Sequence, residues 1–272
     1  MSNLLTRAIT GFFFALIIIG SILLGSDIQG LAFGIFLVLG LIEFAALFNK
    51  TNYTQSPVLT VFIGTLIYCL FLLSKYEIFT DKLLFSVSFV LIFTAFLLEI
   101  WKKQTQPLLS LSIFVFGIIY LVVPFVLMNI LARDSIETFS PLLGMILLIW
   151  TNDTFAYLIG RKIGRTPLFE RISPKKTWEG TFGGIIFSIF TASLIAYFTV
   201  ANDSIYWLVA AIIVVPAAIF GDLLESLFKR SLNIKDSGNI LPGHGGILDR
   251  FDAVLFTVPF FYLWHLIYEQ LF

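Results

Sequence analysis

Residues 226–252 read SLFKRSLNIKDSGNILPGHGGILDRFD, the densest run of charges, glycines and histidine in the chain, set between two apolar stretches. Asp222, Ser226, Lys229 and Arg230 recur at helical spacing, so one face of a helix end carries a carboxylate, a hydroxyl and two cations. Lys235 and Asp236 follow, then SGN and PGHGG, which set turns that need glycine's backbone freedom. Asp249 and Asp252, three residues apart, share one face of the next helix as it begins. If the two helices are successive antiparallel spans, Asp222 and Asp249 stand at the same end of both. Two hard oxygen donors placed this way suit Mg²⁺, which takes one or two carboxylates together with water and substrate phosphates. Gly243, Gly245 and Gly246 suit a backbone that approaches a ligand closely and offers its amides to phosphate. His244, flanked by glycines, is placed to hydrogen-bond a phosphate or to act on it as an acid. The plain alternative is a salt-bridge lattice among Asp222, Lys229, Arg250 and Asp252, which would not require the glycines.

A second polar constellation lies in WTNDTFAYLIGRKIGR, where Asn152, Asp153 and Thr154 interrupt an apolar stretch. Asp153, Tyr157 and Arg161 fall at i, i+4 and i+8, a stripe running from a buried carboxylate to a basic loop. A charge inside a membrane span is costly, so it points either to a polar cavity or to an ion pair that fixes helix packing. The NDT triplet fits a glycosylation sequon, but a site inside a span is not modified. In RISPKKTWEG, Ser173 and Pro174 read as an N-cap and a first helical position. Lys175 and Lys176 then fall in a first turn whose amides also favour anions, giving a candidate phosphate site. Glu99, beside Lys102 and Lys103, reads as a paired helix-end charge. Glu43 lies deeper and suits either a structural hydrogen bond or a cavity wall, and His265 suits a core hydrogen bond.

These residues must be held by membrane helices. The chain is 58% hydrophobic and 12% charged, with 31 phenylalanines among 272 residues, and its mean hydropathy is +0.97. That is too little polar surface for a globule in water. The apolar runs are continuous rather than alternating, which selects helices over a β-barrel. About nine transmembrane helices are expected, over 8–25, 30–48, 57–73, 83–100, 108–131, 141–160, 180–201, 206–228 and 251–271, giving an all-α polytopic membrane protein. With the N-terminus inside, 14 of the 17 lysines and arginines fall on inner segments and 3 outside, which places the C-terminus outside. The two long inner loops, 161–179 and 229–250, are the two most charged. The chain divides into an N-terminal scaffold, 1–131, and a C-terminal catalytic region, 132–272. Arg7 precedes an apolar run without a cleavage site, so a retained first span is expected. The single Cys69 excludes an intramolecular disulfide and suits a packing role. Zero net charge gives no sign of nucleic-acid binding, and there is no internal repeat.

The order Ser226, Lys229-Arg230, Lys235-Asp236, Gly243-His244-Gly245-Gly246 and Asp249-Arg250-Phe251-Asp252 resembles the signature of the phosphatidate cytidylyltransferases (CDP-diacylglycerol synthases). NDTFAYLIGRKIGR and SPKKTWEG resemble two further blocks of that family. The resemblance is detailed over the C-terminal half, whereas the N-terminal half matches only as a bundle of spans. It implies transfer of CMP from CTP to phosphatidic acid in the cytoplasmic membrane, with Mg²⁺ and room for a second metal ion. It also implies a homodimer, with metal and catalytic roles at Asp222 and Asp249. On that reading Lys229, Arg230, Lys235 and Arg250 hold phosphates. Asp252 and Asp153 support the metal, and Lys175 and Lys176 meet CTP or the lipid headgroup. Two other classes stay open on the sequence. Pro124, Pro216 and Pro259 inside spans would fit a transporter, although the polar residues cluster on one face instead of along a path. A CTP-dependent enzyme acting on another lipid is the third reading.

Overall fold

The computed structural model describes residues 3–49, 57–77, 79–102, 106–133, 139–199, 204–238, 240–241, 243 and 245–271. Nearly all of them are helical. The helices are α1 (Asn3–Leu23), α2 (Ser26–Asn49), α3 (Pro57–Leu73), α4 (Asp81–Glu99), α5 (Pro107–Gly117), α6 (Val123–Leu131), α7 (Pro141–Ile163), α8 (Trp178–Phe198), α9 (Ser204–Ser231) and α10 (Leu248–Leu271). A π-helical turn, Ile118–Val122, joins α5 to α6 into one span. Pro124 explains the widened turn, because it has no N–H to give to the carbonyl four residues back. Eight segments among the described residues are long and apolar enough to cross a bilayer, and the apolar part of α1, Ala8–Leu23, is shorter. The protein is therefore an integral membrane protein of nearly all-α structure. Many large apolar side chains, Phe12, Phe62, Phe89 and Phe190 among them, are exposed as lipid-facing groups would be. Cys69 is also exposed on α3, so it does not take the packing role expected.

The chain forms two compact units. One holds Met1–Asn129 with Asp236–Arg250, and the other holds Ile130–Lys235 with Phe251–Phe272. In the first, Phe33 packs against Phe125, and Tyr68 donates to the Gly30 carbonyl at 2.8 Å. Glu99 takes the paired role read from the sequence, accepting from Lys102 Nζ at 2.8 Å.

In the second unit α7 and α8 pack backbone to backbone. Three glycines of α8 make this possible. A Cβ on Gly180 would lie 2.6 Å from the Ala156 carbonyl oxygen, one on Gly184 would lie 2.9 Å from that of Asn152, and one on Gly183 would run into Ile159. Small residues at the contact are how membrane helices gain close packing when lipid offers no hydrophobic drive. Ser188 Oγ adds a hydrogen bond to the Leu148 carbonyl at 3.3 Å. His265 makes the core hydrogen bond expected of it, 3.1 Å from the Tyr206 hydroxyl.

The stretch before α8 is not a helix start at Ser173. Strand β1 (Pro167–Phe169) pairs antiparallel with β2 (Ser173–Thr177), and Pro174 lies within β2. Thr177 is the cap, its Oγ1 accepting from Gly180 N at 3.2 Å. The Glu179 carboxylate then accepts from the amides of Arg165 and Thr166, at 3.1 and 3.2 Å, which ties the loop after α7 to the start of α8. Proline's fixed φ suits an extended strand as well as a first helical turn. The pairing with β1 and the Thr177 cap decide between them. Gly180→Val should push α7 and α8 apart at a cost of about 1–3 kcal/mol, read as a lower melting temperature in detergent.

Candidate active site

The second unit holds a cavity of about 350 Å³ bounded by α7, β2, the start of α8 and α9. Its polar lining includes Asn152, Asp153, Tyr157, Arg161, Lys175, Lys176 and Asp222. The α7 residues reach it because the helical repeat places 153, 157 and 161 on one face. Arg161 Nη1 donates to the Tyr157 hydroxyl at 3.4 Å. Asp153 is exposed to this cavity and not buried in packing, and it accepts from Asn152 Nδ2 at 3.3 Å. Lys175 and Lys176 come from strand β2, so the cations stand on extended backbone and not on a helix N-terminus. Lys176 pairs with the Asp222 carboxylate, and Ser226 Oγ donates to Asp222 Oδ1 at 3.5 Å.

Asp222 also has two acidic neighbours. Oxygens of Asp222, Glu225 and Asp252 all lie within 4.8 Å of one another. Helices α9 and α10 bring them together by touching at Gly221. A Cβ there would lie 2.9 Å from the Asp252 carbonyl oxygen and 3.1 Å from Ala253 Cα. Glu225 is buried and ion-pairs with Lys229 one turn later. The sequence reading passed over Glu225, although its i, i+3 spacing from Asp222 was a usable signal. Three convergent carboxylates are a donor set of hard oxygens, which fits a divalent cation such as Mg²⁺. At 28 residues α9 is about 42 Å long. It exceeds the roughly 30 Å hydrocarbon core, so the turns carrying Ser226, Lys229 and Arg230 can stand in the interface.

Asp249 belongs to the first unit and has a different setting. Its Oδ2 accepts from Ser237 N at 2.9 Å and Gly246 N at 2.8 Å. The Gly246 amide expected to meet phosphate is thus engaged by Asp249. Gly243 and Gly245 have φ of 77° and 80°, in the left-handed region that favours glycine. Leu241 N donates to the Gly245 carbonyl at 2.9 Å. Arg230, Lys235, Asp236 and Arg250 are exposed. Ser173 is half-buried in β2, and His244 lies outside the described residues.

The sequence pattern of the cytidylyltransferase family matches residues 5–268. The chain belongs to the cytidylyltransferase family. This membrane cytidylyltransferase is also similar to curated relatives. A phosphatidate cytidylyltransferase of Rickettsia bellii is 37% identical over 185 residues, 65% of this chain and 78% of that protein. One of Rickettsia typhi is 35% identical over 215 residues, 76% of this chain and 91% of the relative. One of Bacillus subtilis is 46% identical over a shorter stretch of 117 residues, 42% and 43% of the two chains.

If the carboxylates hold a divalent ion, the purified 272-residue chain in detergent should bind Mn²⁺, used as a paramagnetic probe and counted by electron paramagnetic resonance. Asp222→Asn and Asp252→Asn should each weaken that binding by more than about tenfold, the least that losing even an outer-shell partner costs. Binding equal to that of the unaltered protein would remove both residues from the ligand set.

Proposed function

We propose that the chain is a phosphatidate cytidylyltransferase, transferring CMP from CTP to phosphatidic acid to give CDP-diacylglycerol and pyrophosphate. The observation that carries this reading is the combination of paired lysines, Lys175 and Lys176, on a cavity whose wall includes Asp222, one member of a three-carboxylate cluster, in a membrane helix bundle. Family membership and the relatives' names support the same substrates. One substrate stays in the bilayer and the other arrives from water, so an interfacial cavity suits both.

The phosphate of phosphatidic acid attacks the α-phosphorus of CTP, and pyrophosphate leaves. A phosphate monoester has its second pKa near 6, so the nucleophile is already largely anionic and needs no strong base. Charge is the obstacle, because two polyanions must meet. Lys175, Lys176 and Arg161 offset that repulsion and hold phosphates in line. Asn152 and Asp153 sit along the same wall, where they orient polar groups of the bound nucleotide or lipid. Asp222, Glu225 and Asp252 would hold Mg²⁺, with Lys229 fixing Glu225, and the sequence pattern separately proposes Asp249 as a metal ligand. The bound ion would supply charge neutralisation on phosphate oxygens.

The same proposal places the protein in the cytoplasmic membrane, with its N-terminus and site on the cytoplasmic face, as the lysine and arginine bias supports. A homodimer belongs to it through the family resemblance. Purified protein given CTP, Mg²⁺ and phosphatidate should form a CDP-lipid. Asp222→Ala should lower turnover by at least about 10²-fold while the protein stays folded. A phosphorylated lipid would instead indicate a kinase, and absence of nucleotide turnover would reject the enzyme reading.

A further inference from the structure

Glu43, in α2, is a buried carboxylate with no part in the cavity described above, yet it touches the glycine-rich segment 205 residues later. Its Oε2 accepts from Leu248 N at 3.1 Å, and the Ile247 amide also donates to the carboxylate. Two glycines are small because of it. A Cβ on Gly238 would have Glu43 as its nearest neighbour, lying 2.7 Å from its Cδ and 3.1 Å from its Cγ. A Cβ on Gly246 would run into both Glu43 oxygens and lie 2.6 Å from Ser237 Oγ. Gly246, and Ser237 next to Gly238 in the chain, also fix Asp249, since both give their amides to Asp249 Oδ2.

We propose that Glu43 is a positioning residue for the transfer reaction: it clamps both ends of the Ser237–Leu248 segment onto α2 and so sets the orientation of Asp249 at the start of α10. The physical case is one of cost. A carboxylate buried in a membrane helix is expensive, and a helix-packing role could be filled by an apolar residue at less cost. An acceptor at this point satisfies amides at the head of α10 that have no partner within the helix. It also gives the glycine segment one seat, against which Gly238 and Gly246 fit only without side chains. Asp249 then has a single orientation, held from two sides. The inference rests on the cytidylyltransferase reading for what Asp249 is positioned to do.

The test uses the purified 272-residue chain in detergent, with Glu43→Ala, Glu43→Asp, Glu43→Gln, Gly238→Ala and the double variant Glu43→Ala/Gly238→Ala. Glu43→Ala and Glu43→Asp should lower kcat at saturating CTP and phosphatidate by about tenfold or more, as expected where a buried hydrogen-bond pairing is lost. Glu43→Gln, which keeps an acceptor at the same reach, should recover activity to within about threefold of the unaltered protein. Gly238→Ala should be impaired in the presence of Glu43, and the double variant should be no worse than Glu43→Ala alone, because the added methyl meets Glu43 first. Hydrogen exchange should quicken in peptides containing Ser237–Gly238 and Gly246–Leu248 in Glu43→Ala and Glu43→Asp, and stay slow in Glu43→Gln. Unaltered kcat and unaltered exchange in Glu43→Asp, or additive effects of Glu43→Ala and Gly238→Ala, would overturn the proposal. If the unaltered protein does not turn over CTP, the cytidylyltransferase reading fails by itself. The exchange rates and the same cycle in melting temperature still decide whether Glu43 clamps the segment.

Discussion

Three carboxylates held within 4.8 Å of one another repel, and the rest of the site is arranged around that repulsion. Asp222, Glu225 and Asp252 converge because α9 and α10 touch at Gly221, where no side chain separates the backbones. Lys176 offsets Asp222 and Lys229 offsets Glu225, from a neighbouring strand and from the next helical turn. The cluster stands beside a cavity that also presents Lys175 and Arg161. Such a site can meet a cation and a polyanion at once. That is the requirement for bringing a nucleoside triphosphate up to a lipid phosphate.

Packing explains how a membrane bundle keeps the cluster in place. The α7 and α8 backbones approach through Gly180, Gly183 and Gly184, so the polar stripe of α7 and strand β2 border the same space. Glu179 closes the loop between them by accepting from Arg165 and Thr166. The β1–β2 hairpin, and not a helix N-terminus, delivers Lys175 and Lys176. Both line the cavity, and Lys176 also pairs with Asp222. In the other unit Glu43 does for the glycine segment what Glu179 does for this loop.

The helical spans were legible because unbroken apolar runs leave few alternatives in a bilayer, and the C-terminal motif was legible because it is long and chemically mixed. The stripe of Asp153, Tyr157 and Arg161 followed directly from helical spacing. Other features depend on residues far apart in the chain and could not be read locally. Ser173-Pro174 carries a cap signal that Thr177 takes over once β2 finds β1. Gly246 looks like a phosphate cradle until Asp249 is seen to hold its amide. Glu43 gives no hint of its partner, because Leu248 is 205 residues away. Glu225 was within reach of the same spacing argument that selected Asp222.

In the proposed mechanism the acidic cluster and its lysines promote attack of a lipid phosphate on the α-phosphorus of CTP. The most direct measurement follows two phosphorus labels through the purified protein with phosphatidate and Mg²⁺. Label at the α-position of CTP should pass to the lipid, label at the γ-position should pass to pyrophosphate, and both transfers should vanish together in Asp222→Asn. Appearance of the γ-label in the lipid, or α-label transfer undiminished in Asp222→Asn, would contradict the account.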